Sequence, residues 1–204
     1  MIPRTKHGMS AFALISALQK YIRRGEELEA MRCAIEMMHS SKAFHSMVTK
    51  RLQVIAHEDI DTQARPDIVP FVKAAMEQAK DWYDPNPEKL GKSRMCVGNA
   101  IRLMCRAPKN REGDHFAASV GWAEILENYK PVLPDWVHDQ HTYEGKAKGR
   151  GLEYFRTEST KLVPPVATKD AYEDEAYRLW ELKAAPKGKA KAKAKAVEVE
   201  DMFD

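Results

Sequence analysis

Apolar side chains recur along this chain at the spacing of an α-helix. Between residues 11 and 22 they fall at i, i+3, i+4, i+7, i+10 and i+11, which places them on one side of a helix. Ser10 is suited to cap this helix at its start, and Gly25 can adopt the left-handed conformation that ends it. The apolar residues of this stripe are Ala11, Leu14, Ile15, Leu18, Tyr21 and Ile22.

The same period recurs in three further segments before residue 80. Their stripes are Leu28, Met31, Ile35 and Met38; then Phe44, Met47, Val48, Leu52 and Ile55; then Ile68, Val69, Val72, Ala75, Met76 and Ala79. The short turn at Gly25 makes the first two helices an antiparallel pair. The sequence has no convincing alternation of period two, so it predicts an all-α, multi-helix bundle.

Two later helical segments are apolar around much of their circumference. One covers about residues 95–105 and ends before Pro108, and the other covers about residues 114–129. A helix that is apolar on several sides needs neighbours on several sides, so we expect these two to form an intersubunit contact. The side chains predicted for that contact are Met95, Ile101, Met104, Phe116, Val120 and Trp122.

The character of the chain changes after residue 129. Prolines and glycines interrupt residues 130–182, but aromatic side chains persist, as in irregular chain that packs against a folded body. A short helix is predicted near the end of this segment, with Asp170 as its cap. Residues 183–204 alternate lysine with alanine and end in an acidic, aromatic tip, which predicts a disordered tail. The predicted domains are therefore a helical body (1–129), a wrapping segment (130–182) and a tail (183–204).

Charge and cysteine content change this picture little. The net charge is +3, and the six lysines and four acids from residue 183 onward contribute +2 of it, so the charge does not by itself require a nucleic-acid partner for the body. Cys33, Cys96 and Cys105 lie in apolar helical patterns and form no C-x-x-C pair, which indicates buried thiols. No apolar run approaches the length of a membrane span, and the start lacks a secretory signal. We expect a cytoplasmic protein without a cofactor or a membrane partner.

Short motifs occur in the order found in one known region. They are Leu-Ile-Ser-Ala-Leu at residues 14–18, Glu-Asp-Ile at residues 58–60, Arg-Ala-Pro-Lys-Asn at residues 106–110, and the glycine-aromatic stretch at residues 149–155. Together, over about residues 10–155, they resemble the lid and collar region of the RarA/MgsA replication-associated ATPases, the family of the Werner-helicase-interacting protein.

The resemblance implies a fold and partners. In that family the region is a clamp-loader-like helical collar that makes the protein a homotetramer, and the ATPase acts at stalled replication forks. We therefore expect a homo-oligomer, a tetramer, that serves DNA replication, recombination or repair. The partners that the resemblance implies are an ATPase of the same type, a single-stranded-DNA-binding protein, or DNA.

ATP hydrolysis is not implied, because the ATPase module of the family does not precede this region. Gly91-Lys92-Ser93 looks like the end of a phosphate-binding loop, but Asn86 stands where that loop needs a glycine, and no Walker B strand is present. We interpret Gly91 as the start of a helix and the protein as non-enzymatic.

Two clusters of acids and histidines are candidate metal sites. His57-Glu58-Asp59-Ile60-Asp61 lacks the second histidine of a zinc protease, so we expect hydrogen bonds at a helix end, with Arg51 or Arg65 as the partner. The His138-Asp139 doublet, with His115, could belong to an HD-type metal-dependent phosphohydrolase. Pro134 argues against the helix which that doublet needs.

A basic and aromatic segment supplies the remaining alternative. Lys146, Lys148 and Arg150 lie beside Tyr143 and Tyr154, a combination that could contact phosphates and stack on bases. This pattern is consistent with a single-stranded nucleic-acid-binding protein. The interpretation that we favour is a solvated loop whose rings pack against the helices.

Overall fold

The computed structural model describes residues 3–168 and 170–184, and over these residues the chain is α-helical. The first six helices are Ala11–Arg24 (α1), Glu27–Met38 (α2), Lys42–Glu58 (α3), Ile68–Asp81 (α4), Gly91–Arg106 (α5) and Glu112–Glu127 (α6). The last three are Tyr143–Ala147 (α7), Leu152–Tyr154 (α8), which continues as a π-turn over Phe155–Ser159, and Glu173–Ala184 (α9). Among the described residues there are isolated β-bridges but no strand, so the prediction of an all-α, multi-helix bundle is confirmed.

The chain divides into two compact units, Met1–Tyr129 and Lys130–Asp204. The first contains α1 to α6 and the second α7 to α9. Most of the predicted tail, from residue 185 onward, lies outside the described residues. No helix in the described part of the chain combines the length and the apolar character needed to cross a membrane.

Local sequence signals set the bounds of α1. The Ser10 hydroxyl accepts a hydrogen bond from the backbone N–H of Ala13 at 3.4 Å, as an N-cap does. Gly25 has a φ of 80°, the left-handed conformation that ends a helix, and its N–H donates to the carbonyl of Ile22 at 3.1 Å. α1 then packs against α2, so the predicted helix pair is present.

The core of the first unit is formed by the five helices α1 to α5. Buried positions on α1 and α4 agree closely with the predicted stripes, and on α3 the predicted Phe44 and Met47 are only partly buried. On α2 the buried face is turned. Leu28 is exposed there, and Ala30 and Ala34 are buried instead. Small side chains at these positions let the neighbouring helices approach α2 closely, which the apolar stripe alone could not indicate.

Two of the predicted interface residues belong to this core. Ile101 and Met104 on α5 are completely buried within the first unit, so they cannot form a contact with a second copy, and that part of the prediction is wrong. α5 is central within one chain because other helices of the same chain cover its apolar sides. Met95, on the same helix, is exposed.

The cysteines are free thiols in the interior of the first unit. Burial raises the pKa of the Cys105 thiol to about 11 and also raises the pKa of Cys33. These groups therefore remain protonated at neutral pH and behave as small apolar side chains.

Candidate interaction surface

α6 differs from the other long helices because none of its residues is buried. Its large apolar side chains have exposed fractions between 50% and 75%. They are Phe116, Val120, Trp122, Ile125 and Leu126. Three of the predicted interface residues, Phe116, Val120 and Trp122, therefore lie on an open surface of the chain.

These side chains occupy more than one side of the helix. Phe116, Val120 and Ala123 follow one another at i, i+4 and i+7 and form one stripe. Trp122, Ile125 and Leu126 form a second stripe on another side. A third side carries small residues at intervals of four, namely Gly113, Ala117 and Gly121.

The start of α6 is joined to the end of α3 and the loop after it. A cavity of about 290 Å³ lies between them, lined among others by Ile60, Gln63 and Phe116. Even at its first turns the helix therefore leaves open space against the body. Beyond the helix's own backbone, a side chain at Gly113 or Gly121 would meet no described atom within 4 Å.

A buried carboxylate anchors the region where α6 begins. Asp59 is completely buried at the end of α3, and Arg23 donates to it from Nε at 2.9 Å. The amide of Gln19 donates to its other oxygen at 2.9 Å. Arg111, one residue before α6, places its Nε 3.5 Å from Asp59 and donates to both Glu58 and Asp114. This network ties α1, α3 and the first turn of α6 together.

The prediction of Arg51 or Arg65 as the partner of Glu58 and Asp59 was wrong. Arg51 donates only weakly to Gln19, at 3.4 Å, and Arg65 forms its ion pair with Asp67. Arg23 and Arg111 take their place because the fold brings them to the end of α3 from distant points of the sequence. Sequence spacing carries no signal for such contacts.

Two of the motifs that carry the RarA/MgsA resemblance meet in space. Ile60 and Lys109 form an antiparallel β-bridge, in which Asp61 N–H donates to the carbonyl of Pro108 at 3.0 Å and Asn110 N–H to that of Asp59 at 3.2 Å. The Lys109 ammonium donates to the Cys105 and Ala107 carbonyls, and its pKa is lowered chiefly by burial. In this chain both motifs fix the direction in which α6 leaves the body.

Gly91-Lys92-Ser93 begins a helix, as predicted. The Ser93 hydroxyl is completely buried, donates to the Ala79 carbonyl at 2.8 Å and lies 2.8 Å from Nε2 of His45. Burial lowers the pKa of His45, with a further contribution from Lys80, so the imidazole is neutral near pH 7. The buried polar pair His45–Ser93 crosses the core of the first unit, and sequence analysis missed it.

The predicted basic segment of the second unit is largely used for internal contacts. Lys148 and Arg150 both form ion pairs with Asp135, and together they lower the pKa of that carboxyl to about 2. Arg150 also lies over the ring of Tyr154, with its guanidinium carbon 4.1 Å from the ring centre. These three predicted nucleic-acid contacts are therefore engaged within the unit.

The remaining two residues of the segment are open. Tyr143, at the start of α7, is 90% exposed, and the ammonium of Lys146 lies 6.0 Å from the centre of its ring. Gly145 lies between them, and a side chain there would come within 1.8 Å of the Asp139 carbonyl oxygen. This close approach requires glycine and fixes how Tyr143 is presented.

The phosphohydrolase alternative does not match the geometry. His138 follows a 3-10 turn over Asp135–Val137 rather than lying within a helix. Asp139 accepts hydrogen bonds from the N–H and the ring of His141, at 2.8 and 3.1 Å. Within residues 3–168 and 170–184 no group of three or more histidines, cysteines or acids could hold a metal ion, so His115, His138 and Asp139 form no such site.

No family model matches this chain, and no curated protein matches it significantly.

Proposed function

We propose that this protein is a non-enzymatic, oligomeric accessory factor of DNA replication, recombination or repair, and that it self-associates through α6. The observation that carries the proposal is the exposure of five large apolar side chains on a helix with no buried residue. Covering one such side chain contributes about 1.5–3 kcal/mol. A second copy that covers several of them would therefore gain enough to associate stably.

The helix itself also needs a partner. Isolated helices shorter than about 12–15 residues are marginal in water, and longer ones are weakened by glycine. α6 has 16 residues, two of them glycines, and no tertiary contact that buries any of its side chains. Burial in an assembly would supply the missing stabilisation.

The arrangement of its stripes favours more than two copies. A dimer in which α6 packs against one neighbour covers one apolar stripe and leaves the other in water. A closed assembly in which each α6 has two neighbours covers both. This supports the homotetramer that the RarA/MgsA resemblance implies, and the resemblance is also the support for a role at DNA.

Sedimentation of the purified protein tests self-association. We expect an oligomer at micromolar concentration, and we expect Phe116→Ser to shift it towards the monomer. Phe12→Ser is the matched control, because Phe12 is 62% exposed on α1 and Phe116 is 69% exposed on α6. A monomeric wild-type protein, or equal effects of both substitutions, would contradict the proposal.

A second candidate function, contact with single-stranded nucleic acid, is supported by Tyr143. An exposed ring beside a lysine offers stacking together with a phosphate contact. We expect binding of a fluorescent oligonucleotide to weaken steeply as salt rises, and to weaken in Tyr143→Ala. Tyr172→Ala is the control, since Tyr172 is 81% exposed elsewhere in the same unit. Binding that does not depend on salt, or that both variants reduce alike, would exclude this site.

A further inference from the structure

The second unit contains an open groove beside the last described helix. It has a volume of about 530 Å³, and its apolar walls are Leu152, Phe155 and Trp180. A second groove of about 810 Å³ lies against the same α9 helix and shares Trp180 as a wall. The Trp180 ring packs edge-on against Tyr177, at 5.1 Å between ring centres, and 47% of the residue remains exposed. The first groove is thus an apolar site with a fixed aromatic wall.

The mouth of this groove is basic. Lys183 lines it and has no ion-pair partner within the described part of the chain. His141 also lines it, but its ring is directed to Asp139 at 3.1 Å. One exposed ammonium therefore stands beside an apolar cavity, a combination that suits an acidic segment with a large apolar side chain.

The same chain carries such a segment. Ala184, the last described residue, lines the groove, and 20 residues follow it in the sequence. They end in Asp201-Met202-Phe203-Asp204, in which two apolar side chains stand between two carboxylates.

We propose that the groove beside Trp180 binds the acidic, aromatic end of its own chain. Phe203 and Met202 would cover Trp180 and Phe155, and a flanking carboxylate would pair with Lys183. The intervening residues 185–200 can span up to roughly 55 Å, which is ample for a return to the groove that Ala184 lines. Tethering also raises the local concentration of the segment to the order of millimolar, so weak contacts suffice.

This contact would withhold the tip from other proteins. A partner that recognises the same aromatic and acidic residues must compete with the groove, which raises the affinity that the partner needs. The inference concerns the second unit alone and does not depend on self-association through α6.

The full-length protein labelled with 5-fluorotryptophan provides the test. Its four tryptophans give four fluorine resonances, and Trp180→Phe identifies the relevant one. We expect Phe203→Ser to shift the Trp180 resonance and to leave that of Trp82, in the first unit, unchanged. Lys183→Glu should produce a similar shift, because it removes the cation at the mouth.

The control variant is Lys191→Ser, which changes the tail but not its tip and should leave all four resonances in place. A Trp180 resonance that neither Phe203→Ser nor Met202→Ser moves would overturn the proposal. Labelled Phe203→Ser protein is also mixed with an excess of unlabelled wild-type protein. Return of the Trp180 resonance to its wild-type position would mean that tips bind between copies, and would overturn the assignment to the same chain.

Discussion

α5 and α6 are consecutive along the chain and have 16 residues each, and both carry apolar side chains on more than one side. α5 packs against α1 to α4 through its apolar sides, and Ile101 and Met104 are completely buried, while Lys92, Asn99 and Arg102 stay exposed. α6 buries none of its residues. The same kind of sequence pattern thus gives a central core helix in one case and an open surface in the other. Apolar character around a helix indicates that the helix needs neighbours, but it does not indicate whether they belong to the same chain.

The largest expected effect comes from Asp59, which anchors the start of α6 to α1 and α3. Asp59→Ala removes a completely buried carboxylate that accepts hydrogen bonds from Gln19 and Arg23, and each hydrogen bond to a charged group contributes about 1.5–3 kcal/mol, so we expect a loss of about 3–5 kcal/mol. Urea unfolding monitored by circular dichroism measures the loss. Asp67→Ala is the control, because its ion pair with Arg65 is exposed and should contribute far less. Equal losses would contradict the anchoring role.

The next prediction compares substitutions on α5 with a substitution on α6. Ile101→Ala and Met104→Ala should each lower the free energy of unfolding by about 2–5 kcal/mol, because each opens a cavity in the core of one chain. Val120→Ala on α6 should leave the stability of the monomer nearly unchanged and should instead weaken self-association. Unfolding at a concentration where the protein is monomeric, combined with sedimentation, distinguishes the two effects. A large loss of monomer stability in Val120→Ala would show that α6 packs within its own chain.

Acidification should destabilise the core. Burial lowers the pKa of His45 below its ordinary value of 6.5, so the unfolded chain takes up a proton more readily than the folded one. The contribution of His45 to stability is therefore complete above pH 6.5 and is lost as the pH falls from there towards the lowered pKa.

Urea midpoints between pH 7.5 and 5.5 measure this loss. His45→Gln, which keeps a hydrogen-bonding group near Ser93, should reduce the slope. His39 contributes in the same direction, because its pKa is also lowered, so a smaller slope should remain. An unchanged slope in His45→Gln would assign the pH dependence to other groups.

The smallest effect is expected for Gly121→Ala, and whether this substitution weakens or strengthens the oligomer is informative. Alanine is favoured over glycine inside a helix by roughly 1 kcal/mol, and outside the helix backbone no atom of the described residues lies within 4 Å of the added methyl group. Gly121→Ala should therefore raise the helix content of the monomer slightly. If copies approach closely along the small-residue side of α6, the same substitution should weaken the oligomer, which sedimentation detects. A tighter oligomer would place the contact on the two apolar stripes instead.

Local signals were enough to predict the helices of the first unit, whereas α7 and α8 lie in a segment that was predicted to be irregular. The apolar period, the Ser10 cap and the left-handed Gly25 act within a few residues, and each lies where it was predicted. The start of α5 at Gly91 was also predicted locally, because Asn86 stands where a phosphate-binding loop would need glycine.

Contacts between distant segments set which apolar and charged groups are used inside the chain. The turned face of α2, the partners of Asp59 and the pairing of Lys148 and Arg150 with Asp135 all depend on distant segments meeting. The same holds for the burial of Ile101 and Met104 and for the exposure of α6. A helical period fixes which side chains share a face, but the neighbour of that face is set by packing over the whole chain.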